Sequence, residues 1–356
     1  MSTSTATRAF HPVLTPVFSM VGAEYFDPTK EAHQSVYSYL ENDMVASHLN
    51  AKPFNHALAL EQGQALQELL ISLRAPVIMG NGKQGLLDQI YTADPSFSMV
   101  SREDDGQFHL KTLWSRFYHD KRQPEVLEQQ KTLTASFTNA CSDLIISQRQ
   151  ARHYFEGGDH LYDMARDIIW GGYKPKNGKF EPNEGRSEPG AVEELATFMG
   201  LHAPSAIGLE VLRPFYHLDT SCAFLPRGEV VCCTDGMTED SYERLIDNAF
   251  TRFGMDWKKN LILMSREEAE FGFACNLIIV DENTIIMPES CPSLATNLRE
   301  RDYDVYTVDL SEILRAGGGA HCIINRLNQL RVPGGLLRNP NYLNEIRAQF
   351  SLSPAA

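Results

Sequence analysis

The chain has 356 residues, 43% of them hydrophobic and 22% charged, an ordinary globular balance with enough apolar material for a large core. Its formal net charge of -14 argues against a phosphate-backbone partner, whose protein surfaces are usually basic, and no apolar run is long enough to span a bilayer. The seven cysteines are irregularly spaced and form no CxxC pair, which argues against a zinc ribbon or a thioredoxin-type site and reads as reduced thiols in a cytoplasmic compartment.

Residues 1–10 (MSTSTATRAF) are polar and read as a frayed terminus, and Pro12 and Pro16 interrupt the apolar run that a signal peptide would need. Beyond them, strand-like and helix-like segments alternate. Apolar spacing predicts helices over 57–74, 191–200, 239–253 and 341–350, with Thr238 as N-cap of the third. Short β-branched and aromatic runs predict strands at 76–79, 89–100 and 261–264. Two hairpins are expected, one pairing 215–225 with 229–233 across Pro226-Arg227-Gly228, the other pairing 276–280 with 284–288 across Asp281-Glu282-Asn283. The polar stretch 173–190, rich in Gly and Pro, reads as an exposed irregular loop. No exact repeat is visible and no linker divides the chain. Hairpins mixed with helices therefore predict one α/β domain over 1–356 with mixed sheets.

Four segments carry residues with chemistry. In RAGGGAHC (315–322), three consecutive glycines open backbone conformations and close approaches barred to other residues, and Cys322 follows them. The same segment reads equally as a glycine turn with a structural cysteine. In FYHLDT (215–220), alternation along a strand would put His217 and Asp219 on one face, where they could serve as a general acid/base and a cation contact; a lone strand histidine is otherwise a satisfied core residue. In FEGGDHLYD (155–163), Glu156 and Asp159 flank a Gly-Gly turn, which is also the composition of an acidic surface turn. In LLDQIYTADPSF (86–97), Asp88 and Asp94 bracket a predicted strand and could equally be strand-end caps. His217, His321 and Cys322 could ligate zinc by type, but no HExxH or paired-cysteine spacing supports a metal centre. Together, one thiol, one imidazole and several carboxylates suit a planar cation with an electrophilic carbon, and a guanidinium fits that description.

The ordered segments LLDQIYTAD, SRFYHDKRQ, FEGGD, GRSE, FYHLDT, FACN and GGGAHC, from about Asn50 to Leu327, resemble the guanidine-modifying enzymes of the pentein superfamily. These are the arginine deiminases, dimethylarginine dimethylaminohydrolases, arginine dihydrolases and glycine amidinotransferases. The resemblance implies a five-bladed α/β propeller with pseudo-fivefold symmetry and a central active-site channel. It implies Cys322 as nucleophile, His217 as general acid/base and Glu156 as the acid that contacts the guanidinium and stabilises charged His217. Asp94, Asp88 and Asp219 match acids that hold the guanidinium nitrogens. Arg122 and Arg186 match arginines that hold a substrate carboxylate, and Asn50 and Asn276 match the α-amino end and the pocket wall. The chain departs from the pattern at Asp94, where the dihydrolases carry Asn, and at Ala93, where the dimethylaminohydrolases carry Glu.

The implied activity is hydrolysis of a guanidinium group, of the arginine deiminase kind, through a covalent amidino-thioether on Cys322, releasing ammonia and a ureido product. Asp94 and Asp219, accepting from terminal nitrogens, favour an unmethylated guanidinium. The alternatives are transfer of the amidino group to an amine, a dihydrolase giving ornithine, and a non-catalytic binding protein of the same architecture. Neither a metal nor an organic cofactor is implied. The expected partner is a small guanidino substrate, with no nucleic acid and no membrane, and a homo-oligomer is compatible with the sequence.

Overall fold

The computed structural model describes residues 13–23, 54–86, 88–140, 144–176, 179–180 and 186–351. Among these, one unit recurs: an antiparallel strand pair, a helix, and a third strand parallel to the second. Parallel pairing needs a long crossover, and the helix supplies it.

The third unit pairs His160–Asp163 antiparallel with Ile168–Tyr173, crosses through helix Ala191–Met199, and returns as Ala206–Glu210, parallel to Ile168–Tyr173. The fourth runs Cys222–Phe224, Val230–Cys232, helix Glu239–Ala249 and Leu261–Leu263. The fifth runs Ile278–Ile279, Thr284–Pro288, helix Pro292–Glu300 and Asp304–Val308. The second pairs Ser96–Arg102 with Phe108–Trp114, crosses through helix Gln123–Ala140 to Leu144–Gln150, and gains Gln329–Leu330 at its edge. The first is split in sequence: Phe18–Val21 pairs antiparallel with Asn325–Arg326 and, after helix His56–Ser72, parallel with Val77–Gly80.

Local chemistry accounts for these elements. Helix His56–Ser72 starts at Asn55, whose side chain accepts from the Leu58 amide, and buries Ala59, Gln62, Leu66 and Leu70, a stripe at helical spacing. Thr238 caps helix Glu239–Ala249 by accepting from the Ser241 amide, as the sequence predicts. Helix Ala191–Met199 ends at Gly200, whose φ of 81° is the left-handed conformation of a helix C-terminus. Both predicted hairpins form, with Cys222 opposite Cys232 and Ile278 opposite Ile286.

Four expectations need correction. Residues 89–95 are turn rather than strand, and the strand starts at Ser96, because Asp94-Pro95 cannot continue a ladder. His217 and Asp219 do not alternate along a strand: His217 precedes a 3-10 turn, Leu218–Thr220, closed by the Thr220 hydroxyl donating to the His217 carbonyl. The stretch 173–190 is not wholly irregular, since it begins on the end of strand Ile168–Tyr173 and contains the pair Pro175–Lys176 with Lys179–Phe180. The helix predicted over 239–253 is α-helical to Ala249 and finishes as a 3-10 turn, Thr251–Phe253.

Candidate active site

Each unit contributes to one place through the turn just before its leading strand. Asp94 precedes Ser96, Glu156 precedes His160, His217 and Asp219 precede Cys222, Asn276 precedes Ile278, and Cys322 precedes Asn325. Five hydrogen bonds join these turns in a ring. The Ala93 amide donates to the Cys322 carbonyl (3.2 Å), the Gly157 amide to the Asp94 carbonyl (2.8 Å), and the Leu218 amide to Asp159 Oδ1 (3.2 Å). The Asn276 side-chain amide donates to the Asp219 carbonyl (3.3 Å), and the His321 amide to the Asn276 carbonyl (3.4 Å).

The ring packs backbone against side chain, which explains its glycines. A Cβ on Gly158 would lie 2.5 Å from His217 Nδ1 and 2.9 Å from Asp94 Oδ1, and one on Gly319 would lie 2.6 Å from Asn276 Oδ1.

Cys322 is 2% exposed. Asn276 holds it at both ends, with its Nδ2 donating to Sγ (3.2 Å) and its Oδ1 accepting from the Cys322 amide (3.1 Å). The Tyr216 hydroxyl lies 3.8 Å from Sγ and donates to the Gly317 carbonyl. Asp219 Oδ2 is 3.6 Å from Sγ and 2.9 Å from His321 Nδ1. Burial, with the charges of Asp219 and Asp94, pushes the Cys322 thiol well above its ordinary pKa, so the free protein holds it protonated.

The second part of the site is ionic. His217 Nε2 donates to Glu156 Oε2 (3.0 Å), and Nδ1 lies 3.5 Å from Asp94 Oδ1. Burial works against the imidazolium, but Asp94, Asp159 and the Glu156 hydrogen bond outweigh it and raise His217 to about 9. Glu156 is also opposed by burial, yet Arg186, Arg122 and His217 hold it well below the usual carboxylate range. Burial raises Asp94, and it raises Asp159 to about 7.

Arg122 is fully buried among acids. Its Nη1 donates to Asp94 Oδ2 and Glu156 Oε2 (3.1 Å each), its Nη2 to Asp94 Oδ2 (3.1 Å) and Glu125 Oε2 (3.0 Å), and its Nε to Glu125 Oε2 (3.2 Å), with Asp88 Oδ2 at 3.5 Å. Arg186 Nη1 is 3.4 Å from Glu156 Oε2, and its guanidinium lies over the Tyr216 ring at 4.8 Å. Among the described residues, six groups of the cluster are buried with one atom lacking a hydrogen-bond partner: Asp94 Oδ1, Glu156 Oε1, Asp159 Oδ2, Asp219 Oδ1, His217 Nδ1 and Arg186 Nε.

The nine candidate residues within the described regions thus form one contiguous buried cluster, whereas Asn50 lies outside the described residues. Glu125 and Tyr216 were not anticipated; the Arg-x-x-Glu spacing of 122–125, one helical turn, was the available signal for the first. A cavity of ≈ 90 Å³ adjoins the cluster, bounded by Ala93, Gly157, Asp219 and His321 and by strand residues such as Cys222 and Ile278. Asp94, Glu156 and His217 have donor atoms within 4.8 Å of one another, a spacing that a metal ion could use. Arg122 already bonds two of these groups, and His217 is held protonated, so an ion there would have to displace existing charge.

Known proteins resemble this chain over most of its length. A family model described as N,N dimethylarginine dimethylhydrolase, eukaryotic, matches residues 39–329. The bifunctional arginine dihydrolase/ornithine cyclodeaminase ArgZ of Synechocystis is 27% identical over 277 residues, which cover 77% of this chain and 34% of that protein. The N(G),N(G)-dimethylarginine dimethylaminohydrolase of Mycobacterium tuberculosis is 24% identical over 272 residues, 76% of each chain. Among solved structures, the N-terminal domain of cyanobacterial ArgZ bound to product superposes with a TM-score of 0.68 at 23% identity, covering 90% of this chain and all of that one, and so shares its pentein-type α/β fold.

Proposed function

The chain belongs to the eukaryotic N,N dimethylarginine dimethylhydrolase family, and on that premise we propose that it hydrolyses a guanidino group with Cys322 as nucleophile. The observation that carries this reading is the buried acid cluster beside the thiol, in which, among the described residues, Glu156 Oε1 and Asp219 Oδ1 accept no hydrogen bond and Asp94 Oδ1 meets only His217 Nδ1, at 3.5 Å. Leaving such groups without donors is costly, and a planar cation rich in N–H groups satisfies several at once.

A guanidinium in this cluster adds positive charge where Asp219 and Asp94 otherwise hold the thiol protonated, so that as the substrate binds the thiol gives up its proton to solvent and becomes the thiolate. The thiolate attacks the guanidinium carbon. Charged His217 gives its proton to the departing amine, the C–N bond breaks, and an amidino-thioether remains on Cys322. Neutral His217 then takes a proton from water; the hydroxide adds to the carbon, the C–S bond breaks, and a ureido product leaves. Glu156 and Asp94 hold the cation in plane for attack.

Acceptors at three carboxylates favour a guanidinium that keeps its terminal N–H groups, so arginine or a close analogue releasing ammonia is the leading substrate, in the manner of an arginine deiminase. The family match favours a second reading, release of a methylated amine from a methylated arginine. Mass spectrometry of products from arginine, agmatine, methylated arginines and guanidino acids separates the two, and repeating it with glycine present detects amidino transfer. Cys322→Ser should lower turnover by about a thousandfold or more while leaving folding and substrate binding intact. Near-native activity in that variant would refute the nucleophile.

The architecture this reading requires is a propeller. The five units act as blades about a pseudo-fivefold axis, supported by the ring of five turn-to-turn hydrogen bonds and by a cavity lined from all five sheets. A cytoplasmic setting accords with the six described cysteines, all free. No helix among the described residues is long and apolar enough to cross a membrane.

A further inference from the structure

The buried and half-buried arginines of this chain differ in what they meet. Arg122, Arg166, Arg186 and Arg331 each bond a carboxylate. Arg326, which ends strand Asn325–Arg326, has no carboxylate within ion-pair distance among the described residues. Its Nη1 donates to the Ile279 carbonyl (2.9 Å), and its Nε is buried with no hydrogen-bond partner. Nε and Nη2 form the other edge of the guanidinium fork, so two parallel donors are left over. The acids near enough to act on this cation are Asp281 and Glu282, and both are engaged elsewhere. Asp281 Oδ1 accepts from the Asn283 and Thr284 amides, and Glu282 pairs with Arg347. Burial accordingly lowers Arg326 to about 10, which still leaves it charged at neutral pH.

Arg326 also lines the cavity of ≈ 90 Å³ that adjoins the catalytic turns. That cavity runs from Gly157 and Asp219 along the leading strands to Ile279, Arg326 and Gln329. The first two are buried and the last three partly exposed, so solvent reaches the cavity at the Arg326 end. We infer that the Nε–Nη2 edge of Arg326 binds a small monocarboxylate with a short apolar tail, at the solvent end of this cavity. One fork matches two coplanar carboxylate oxygens, and one cation offsets one negative charge. The apolar lining at Phe224 and Ile278 takes the tail. A phosphate dianion brings a second charge that the lining does not meet, since it contains no other Lys or Arg, and burial holds its His160 neutral, down at about 4. The site is separate from the acid cluster, and the inference stands whether or not the chain is a guanidino hydrolase.

The test uses butyrate as the probe, its affinity for the full chain measured by saturation-transfer NMR at neutral pH and fixed ionic strength, beside inorganic phosphate followed by phosphorus line broadening. Butyrate should bind the native chain saturably and more tightly than phosphate. Arg326→Gln should weaken butyrate by about tenfold or more, and Arg326→Lys, which keeps the charge and loses the fork, by about threefold or more. Arg186→Gln should leave butyrate within about twofold, as expected for a ligand held outside the catalytic cluster. Absence of saturable butyrate binding to the native chain overturns the inference, and so does unchanged affinity in Arg326→Gln. Loss of butyrate in Arg186→Gln overturns the location, and tighter binding of phosphate overturns the class of ligand. If Arg326→Gln does not fold, the native titration and the Arg326→Lys arm decide the question.

Discussion

At the residue scale, the cluster is governed by a surplus of acid. Among the described residues, Asp94, Glu125 and Glu156 pair with Arg122, Arg186 or His217, Asp88 lies 3.5 Å from Arg122 and Asp219 bonds His321, so the acids of the cluster outnumber its two arginines. The excess explains why burial raises Asp94 and lifts Glu125 and Asp159 to about 7, and why His217 stays charged despite being buried. His217 has a folded-state pKa of about 9 against an ordinary 6.5, so its charge stabilises the fold fully below pH 6.5 and progressively less as the pH rises to 9. Denaturant titrations of the native chain and His217→Gln should differ most near pH 6, by on the order of 3 kcal/mol, and converge above pH 9. Gly158→Ala should act on chemistry rather than on the fold as a whole: the methyl group must push His217 or Asp94 aside, and kcat should fall by about a hundredfold with the unfolding midpoint little changed. Steady-state kinetics beside a thermal melt checks both halves. The segments that hold these residues were legible beforehand, because a cysteine after three glycines and an acid beside Gly-Gly stand out, but each alone read equally as a structural turn and only the family resemblance joined them. The partners of Arg122 were not, since bonds to Asp94 and Glu156 join turns 28 and 34 residues away that only the folded chain brings together.

At the scale of the elements, amphipathic helices were the easiest to read. The stripe of Ala59, Leu66 and Leu70 and the cap at Thr238 are local signals, and both appear where the sequence puts them. Helix Gln123–Ala140 gave a weaker signal, being rich in Gln and Thr with few apolar positions. Strand limits failed at the functional turns. Ile90, Tyr91 and Thr92 carry strand-forming side chains, but Tyr91 donates its hydroxyl to the Ala316 carbonyl and Thr92 donates to the Ser19 carbonyl, so tertiary bonds hold a turn where local preference favours a strand. The split first sheet depends on a similar long-range tie. Asn328, 1% exposed, accepts from the Val17 amide (2.8 Å) and donates to the Thr15 carbonyl (2.7 Å). Asn328→Ala leaves both backbone groups without those bonds and should cost about 3 kcal/mol in urea unfolding.

For the molecule as a whole, mixed α/β character was readable from alternating hairpin and helix signals, whereas a fivefold recurrence was implied by the family resemblance alone and left no mark in residue periodicity. The five units share pairing pattern and crossover but not residues: their leading turns read YTADPS, FEGGDH, YHLDTS, FACNLI and GAHCII. Selection on backbone geometry alone leaves almost no trace in composition, and each turn has acquired its own chemistry. The divided first sheet has a consequence for biosynthesis. Phe18–Val21 is made early but lacks its antiparallel partner until residues 325–326 follow, and Cys322 is made just before them. A growing chain therefore carries Asp94, Glu156 and Asp219 before the thiol is made, and the sulfur gains its charged surroundings in the same event that completes the divided sheet.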